Sequence, residues 1–182
     1  AGTSGGEPMT IKIGTVNYEG SVQVRALEVF KDTIEKASNG RITVEIYAGS
    51  VLGNNEVMLD MLYNNDIQID IVNPVAFETQ VPEMSLLNNY YTFDSLDHVH
   101  NFFEGEGGDF IFDAYNSIGL QGLCIFSLGF RELYNSAHAV ESFADLNGLS
   151  IRGYSTIQIA AWQSVGVDPV SVDWNELFVS MQ

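Results

Sequence analysis

The sequence predicts an α/β fold built from β-α-β units. Between residues 10 and 72, two kinds of segment follow one another. In one kind apolar and polar residues alternate, which is typical of a strand, and in the other apolar residues recur at helical spacing. Asparagine-glycine or asparagine-asparagine pairs separate them, as turns between such elements require. A hydrophobic content of 46% is typical of a globular protein, and 182 residues can bury a core in one domain or in two small lobes.

The chain opens with one complete β-α-β unit. Residues 10–16 alternate as a strand, and residues 21–38 follow the helical period up to a left-handed stop at Asn39-Gly40. A second strand at residues 41–47 follows directly. This order predicts a parallel strand pair with a right-handed crossover.

Three asparagines follow the predicted strands of this region. Asn54 can cap a helix that runs to residue 63, and a third strand at residues 67–72 ends at Asn73. Ligand sites in open α/β sheets gather at the carboxyl ends of the strands, so Asn17, Asn54 and Asn73 are predicted to line a binding site. Turn formation is the competing explanation for each asparagine taken alone.

The middle of the chain is predicted to be irregular and then helical. Residues 75–93 are apolar, but Pro82 argues against a continuous helix there. Helices are expected over residues 94–103 and 109–117. The glycine-rich residues 105–108 are expected to link them, and they lack the lysine and the preceding strand of a phosphate loop.

Two extended segments carry the later arginines. Residues 120–128 are long and apolar enough to predict a buried central strand with Cys124 as a packing residue, and the extended continuation carries Arg131. Residues 141–154 predict a short helix, an Asn-Gly turn and a strand that delivers Arg152. The remaining predicted elements are a helix at residues 156–164 and a last helix that starts at Asp173 or Trp174.

These two arginines stand out because the rest of the chain is so acidic. After residue 41, Arg131 and Arg152 are the only basic residues among nineteen acidic ones. The planar guanidinium group pairs well with a carboxylate, and it is costly at the end of a half-buried strand without a partner. We therefore expect the partner of Arg152 to be a bound organic acid. The competing explanation is that both arginines are structural and pair with acids such as Asp145, Asp168 or Asp173.

The composition and motifs exclude several classes of function. A net charge of −17 and a pI near 4.1 argue against nucleic acid and anionic membrane surfaces as partners, because both would be repelled. The sequence contains no nucleophile elbow, paired-cysteine metal spacing, zinc-binding helix motif or dinucleotide fingerprint. Hydrolase and oxidoreductase functions therefore lose most of their support, an enzyme is the weakest option, and no cofactor is predicted. His98 and His100 are two apart on a predicted helix and do not share a face for a metal.

The sequence gives two indications about the membrane and the compartment. No apolar run approaches the roughly 20 residues that are needed to span a membrane. Residues 1–9 lack an initiator Met at their start and are expected to form a flexible tether exposed by processing, so export is allowed.

Four motifs together resemble a known family. Their order and spacing are similar to those of the DctP-type solute-binding proteins of TRAP transporters, and the similarity extends back to about residue 10. The motifs are GFRELYNS at 129–136, FADLNGLSIR at 143–152, VGVDPV at 165–170 and ELFVSMQ at 176–182.

The resemblance implies a two-lobed fold like that of periplasmic binding proteins. Residues 10–124 would form the first α/β lobe, and residues 125–182 would form an interlobe strand and an incomplete second lobe. The protein would be a periplasmic or extracytoplasmic receptor, not an enzyme, that captures a small organic acid such as sialic acid or a C4-dicarboxylate for membrane permease subunits. Arg152 would clamp the carboxylate, Arg131 would add a second contact, and Trp174 would cover the ligand.

The chain departs from the family in two ways. It has Asn89-Tyr90-Tyr91 where members commonly have a Leu-Pro-aromatic segment, and it is expected to be truncated at its C-terminal end. A ligand-sensing α/β domain of a regulator or receptor is the alternative function, because it would share the two lobes and the arginine but would lack a permease partner.

Overall fold

The computed structural model describes residues 7–182 and groups them into two compact units. Unit 1 comprises residues 7–73 together with Asp173–Gln182, and unit 2 comprises Pro74–Val172. Most of the predicted tether at residues 1–9 lies outside the described residues, and the predicted lobe boundary after residue 124 stays a prediction. Among the described residues, no helix combines the length and the apolar character needed to cross a membrane.

Unit 1 contains a three-stranded parallel sheet with two connecting helices. The strand order is β2-β1-β3, so β1 lies in the centre and pairs with both neighbours in parallel. The predicted β-α-β order and parallel pairing are therefore confirmed. The elements are β1 (Met9–Thr15), α1 (Val22–Ala37), β2 (Ile42–Tyr47), α2 (Asn55–Tyr63) and β3 (Ile69–Ile71).

The local sequence explains where helix α1 starts and stops. The Ser21 side chain accepts a hydrogen bond from the Val24 N–H at the start of the helix. The predicted left-handed stop is present, with φ of 54° at Asn39 and 74° at Gly40. One face of α1 covers the sheet, and a buried core forms around Ile13, Leu27 and Val44.

Unit 2 begins with two 3₁₀ helices and a helical hairpin. The 3₁₀ helices span Pro74–Phe77 and Pro82–Asn88, in the segment that was predicted to be irregular. The hairpin consists of α3 (Leu96–Phe103), which Ser95 caps as predicted, and α4 (Glu106–Ser117).

The prediction that residues 105–108 form a linker is wrong. Gly107 and Gly108 lie in the first turn of α4. A Cβ atom on Gly108 would come within 2.0 Å of the Phe103 carbonyl oxygen, and one on Gly107 within 2.4 Å of the Phe102 ring. The glycines are present because α3 and α4 approach closely, not because the chain must be flexible.

A second parallel pair of strands completes unit 2. Strands β4 (Ser150–Arg152) and β5 (Asp168–Val170) pair in register, and helix α5 (Thr156–Ser164) connects them. A 3₁₀ helix at Phe143–Leu146 precedes β4, as predicted. The final segment returns to unit 1 as a 3₁₀ helix at Trp174–Glu176 followed by α6 (Leu177–Ser180).

The buried central strand predicted at residues 120–128 is not present. This segment has no regular secondary structure, Leu123 and Leu128 are mostly exposed, and Cys124 is exposed rather than buried. A strand exists only where another strand satisfies its backbone hydrogen bonds, and none pairs with this segment within residues 7–182. For the same reason Arg131 lies on an irregular segment and not on a strand.

Candidate functional site

The two late arginines of unit 2 meet at one tyrosine. The guanidinium carbon of Arg152 lies 4.6 Å from the centroid of the Tyr154 ring, and that of Arg131 lies 5.1 Å from the same centroid. A cation this close to an aromatic face is attracted by the ring quadrupole. A nitrogen of Arg131 also donates a hydrogen bond to the Tyr154 hydroxyl. The structure therefore brings together the two arginines that the sequence singled out.

Arg152 is held by a hydrogen bond to the backbone that follows β5. It is the last residue of β4 and is half-buried, and its Nε donates a 2.7 Å hydrogen bond to the Val172 carbonyl oxygen. This contact fixes the plane of the guanidinium group relative to the backbone that follows β5. A planar group held in this way can present parallel N–H donors to a carboxylate.

Asp145, one of the acids considered as a structural partner for the arginines, has another role. Its Oδ2 accepts hydrogen bonds from the Ser142 hydroxyl at 2.8 Å and from the backbone N–H groups of Ser142 and Glu141. These donors lower the pKa of the Asp145 carboxyl, the Ser142 hydroxyl contributing most. Asp145 thus caps the 3₁₀ helix before β4.

Polar and aromatic groups surround the arginine pair. The Tyr154 hydroxyl donates a 3.2 Å hydrogen bond to the side-chain oxygen of Asn88, which is buried. The Tyr90 and Trp162 rings meet edge to face at 5.6 Å. Burial raises the pKa of Tyr90, and the positive charge of Arg131 opposes part of that shift. Tyr90 therefore lies close enough to Arg131 to interact with its charge.

The arginine pair is the only concentration of basic side chains in the otherwise acidic sequence of unit 2. Residues 74–172 contain twelve acidic side chains, and their only two basic ones are Arg131 and Arg152. Because both guanidinium carbons lie near one ring centroid, they are at most about 10 Å apart. Two unit charges at this distance in a water-like medium repel by at least about 0.4 kcal/mol. An anion beside Tyr154 would be attracted by both arginines and would relieve this repulsion.

The predicted asparagines belong to unit 1. Asn54 is the N-cap of α2, because its side-chain oxygen accepts a 3.1 Å hydrogen bond from the Val57 N–H. Asn17 follows β1, and its side-chain amide donates a 2.8 Å hydrogen bond to the Thr15 hydroxyl. Asn73 is half-buried just after β3. Both observed side-chain contacts organise local backbone, and a role in ligand binding stays a prediction for all three asparagines.

Trp174 also lies in unit 1. It starts the 3₁₀ helix at Trp174–Glu176, and its side chain is 49% exposed. Its predicted role as a cover for the ligand stays a prediction.

Sequence reasoning missed Tyr154 and Asn88. The signal for Tyr154 is its position two residues after Arg152, because alternate residues of an extended strand lie on the same face. The strand ladder does continue past β4, since the Gly153 N–H donates to the Val170 carbonyl oxygen at 3.0 Å. No comparable sequence signal marks Asn88, which reaches the site only through the fold.

The histidines do not form a metal site in the described part of the chain. No group of three or more histidine, cysteine, aspartate or glutamate side chains there is arranged to hold a metal ion. The Nε2 atom of His138 lies 2.7 Å from the Asp145 carbonyl oxygen.

The chain matches one protein family over nearly its whole length. The model of the DctP family, described as bacterial extracellular solute-binding protein, family 7, matches residues 13–182. The 2,3-diketo-L-gulonate-binding periplasmic protein of Escherichia coli is 26% identical over 99% of this chain and 55% of its own length. The sialic acid-binding periplasmic protein of Vibrio cholerae is 25% identical over 95% of this chain and 54% of its own length.

Solved structures show the same relationship. A TRAP periplasmic solute-binding protein from Bradyrhizobium, in complex with D-galacturonate, superposes with a TM-score of 0.86 at 26% identity, over 94% of this chain and 57% of its own. The chain therefore spans about half the length of the relatives that it matches. The family model covers far more than half of the chain and agrees with the observed α/β fold. The chain belongs to the DctP family, family 7 of the bacterial extracellular solute-binding proteins.

Proposed function

We propose that the protein captures a sugar acid outside the cytoplasm and delivers it unchanged to the permease subunits of a TRAP-type transporter. The observation that carries this proposal is the convergence of Arg131 and Arg152 on Tyr154 in a unit that is otherwise acidic. An anionic ligand needs such a local positive site, because the net charge of the protein repels it elsewhere.

The relatives narrow the class of ligand. The proteins named above bind 2,3-diketo-L-gulonate, sialic acid or D-galacturonate, and each of these carries one carboxylate on a polyhydroxylated skeleton. Arg152 would hold the carboxylate through two parallel N–H donors, and Arg131 would add a second positive contact. Family membership supports this function over that of a sensing domain in a regulator.

Calorimetric titration of the full-length protein tests the proposal. The panel comprises D-galacturonate, D-galactonate, 2,3-diketo-L-gulonate, sialic acid and succinate, and the Arg152→Lys variant is titrated beside the parent. Lysine keeps the charge but loses the planar donor pair, and a hydrogen bond to a charged group contributes about 1.5 to 3 kcal/mol. We therefore expect binding to weaken about 10- to 100-fold in this variant.

A matched control distinguishes loss of the site from a general effect. Arg25→Lys makes the same chemical change on an exposed position of α1 and should leave the dissociation constant unchanged. Equal affinity of Arg152→Lys and the parent would refute the role of Arg152. Failure of the parent to bind any acid of the panel would refute the proposed function. Mass spectrometry of the released ligand should show no chemical change.

A further inference from the structure

Tyr154 lies between two anchored segments of backbone. It lies between the end of β4 and the start of α5, where the Gly153 N–H donates to Val170 and buried Ser155 caps the helix through the Gln158 N–H. A residue between two anchored backbone segments has little freedom to move. Tyr154 can therefore hold the side chains that contact it in place.

Arg131 lacks such support from its own backbone. It is exposed and lies in the irregular segment at residues 118–141, outside any helix or strand. The hydrogen bond and the ring contact that the described part of the chain offers to its guanidinium group both come from Tyr154. The position of this charge thus depends on one tyrosine.

The hydroxyl of Tyr154 connects Arg131 to buried structure. A hydroxyl has one proton and two lone pairs. It donates the proton to the Asn88 side-chain oxygen, and its lone pairs accept from Arg131. Because Asn88 is only 8% exposed, these two hydrogen bonds together link a buried side chain to an exposed cation.

We infer that Tyr154 is the positioning residue of the anion site: its ring and hydroxyl hold Arg131 beside Arg152 before the ligand arrives. This inference rests on the proposed function and adds to it a residue that the family motifs do not mark. An arginine that is already ordered loses less conformational entropy on binding than one that must be ordered by the ligand. Tyr154 would thereby raise affinity through Arg131.

The test removes the hydroxyl and keeps the ring. The dissociation constant of D-galacturonate, or of whichever acid of the panel binds, is measured for the full-length parent, Tyr154→Phe, Arg131→Ala and the double variant. We expect Tyr154→Phe to bind about 3- to 10-fold more weakly, which is the cost of ordering one long side chain. In the Arg131→Ala background the same substitution should have no further effect, because nothing remains to be positioned.

A matched control is available on the same irregular segment. Tyr134 is 86% exposed, so Tyr134→Phe removes a hydroxyl there and should leave the affinity at the parent value. Equal affinity of Tyr154→Phe and the parent would overturn the inference. So would an equal loss in the presence and absence of Arg131, since that would indicate a role independent of Arg131.

A measurement without ligand separates this inference from the proposed function. NMR relaxation of the arginine Nε–H groups, with the Arg131 signal assigned from its absence in Arg131→Ala, reports how ordered that side chain is. We expect Arg131 to be ordered in the parent and mobile in Tyr154→Phe, while Arg152 stays ordered in both. If the parent binds no acid, the proposed function fails. An Arg131 that is equally mobile in the parent and in Tyr154→Phe contradicts the positioning role, whatever the binding result.

Discussion

The stability of the Asp70→Asn variant relative to the parent is expected to increase as the pH rises from 5 to 8. Asp70 lies in the middle of β3, between Ile69 and Ile71, whose side chains pack against the core under α1. Because neighbouring residues of a strand point to opposite faces, the Asp70 carboxyl lies on the other face of the sheet. Both of its oxygens are inaccessible to solvent, and neither has a hydrogen-bond partner within the described residues.

Burial determines the protonation of this carboxyl. It raises the pKa of Asp70 from 3.8 to about 7, and the nearby Ile71 backbone N–H opposes the shift only in part. Below pH 3.8 the folded and unfolded states both hold the proton, so the group contributes no pH dependence. Between pH 3.8 and about 7 the folded state keeps a proton that the unfolded state releases. The free energy of unfolding therefore falls as the pH rises through this range.

The size of the effect follows from the shift. Each pH unit in this range lowers the free energy of unfolding by about 1.4 kcal/mol, so a range of about 3 units gives about 4 kcal/mol in total. About two of those units lie above pH 5. Asparagine does not titrate. The free energy of unfolding of Asp70→Asn should therefore increase relative to that of the parent by about 2 to 3 kcal/mol between pH 5 and pH 8. Any fixed cost of the new amide is the same at every pH.

Urea unfolding of the full-length protein at several pH values measures this difference. The control is Asp66→Asn, which makes the same change at an exposed position just before β3, and its difference from the parent should stay constant. A pH-independent difference between Asp70→Asn and the parent would contradict the reasoning. It would mean that the folded state ionises Asp70 as readily as the unfolded state does.

Two further predictions concern packing and a buried hydroxyl. Gly108→Ala should destabilise the protein by about 1 to 3 kcal/mol or more in urea unfolding, because the added methyl group meets backbone. Gly107→Ala should cost less, since the Phe102 ring can move, and equal costs would contradict this assignment. Thr15→Val should cost about 1 to 3 kcal/mol, because the Thr15 hydroxyl donates to the Ile71 carbonyl oxygen and accepts from Asn17. Thr43→Val on the exposed face of β2 is the control, and an equal effect of both would show that the hydroxyl contacts do not matter.

Local sequence patterns predicted the elements whose determinants are local. The helix at residues 156–164 has the predicted bounds, and the caps at Ser95 and Asn54 and the stop at Asn39-Gly40 lie where turn chemistry requires them. The parallel pairing of β1 and β2 follows from their order along the chain and is confirmed. In each case the physical cause acts within a few residues or within one β-α-β unit.

The predictions that were wrong or missed concern interactions between distant parts of the chain. The apolar run at residues 120–128 has the composition of a central strand, but composition does not supply the neighbouring strand that would pair with it. Gly107 and Gly108 look like a linker, yet the close approach of α3 explains them. The two arginines were easy to find because the sequence around them is acidic. The place of Asn88 in the site depends instead on a hydrogen bond to Tyr154, 66 residues away in the sequence.

The charge distribution of unit 2 has a consequence for the speed of ligand capture. An acid that diffuses towards Arg131 and Arg152 has to approach a unit that carries twelve acidic side chains, whose field repels it. Dissolved salt shortens the range of this field to about 8 Å at physiological ionic strength, while the contacts at the arginines act over shorter distances. Moderate salt should therefore speed association, in contrast to the slowing seen for oppositely charged partners. Under the proposed function, an acidic surface of this kind would suit the capture of an organic acid in saline surroundings.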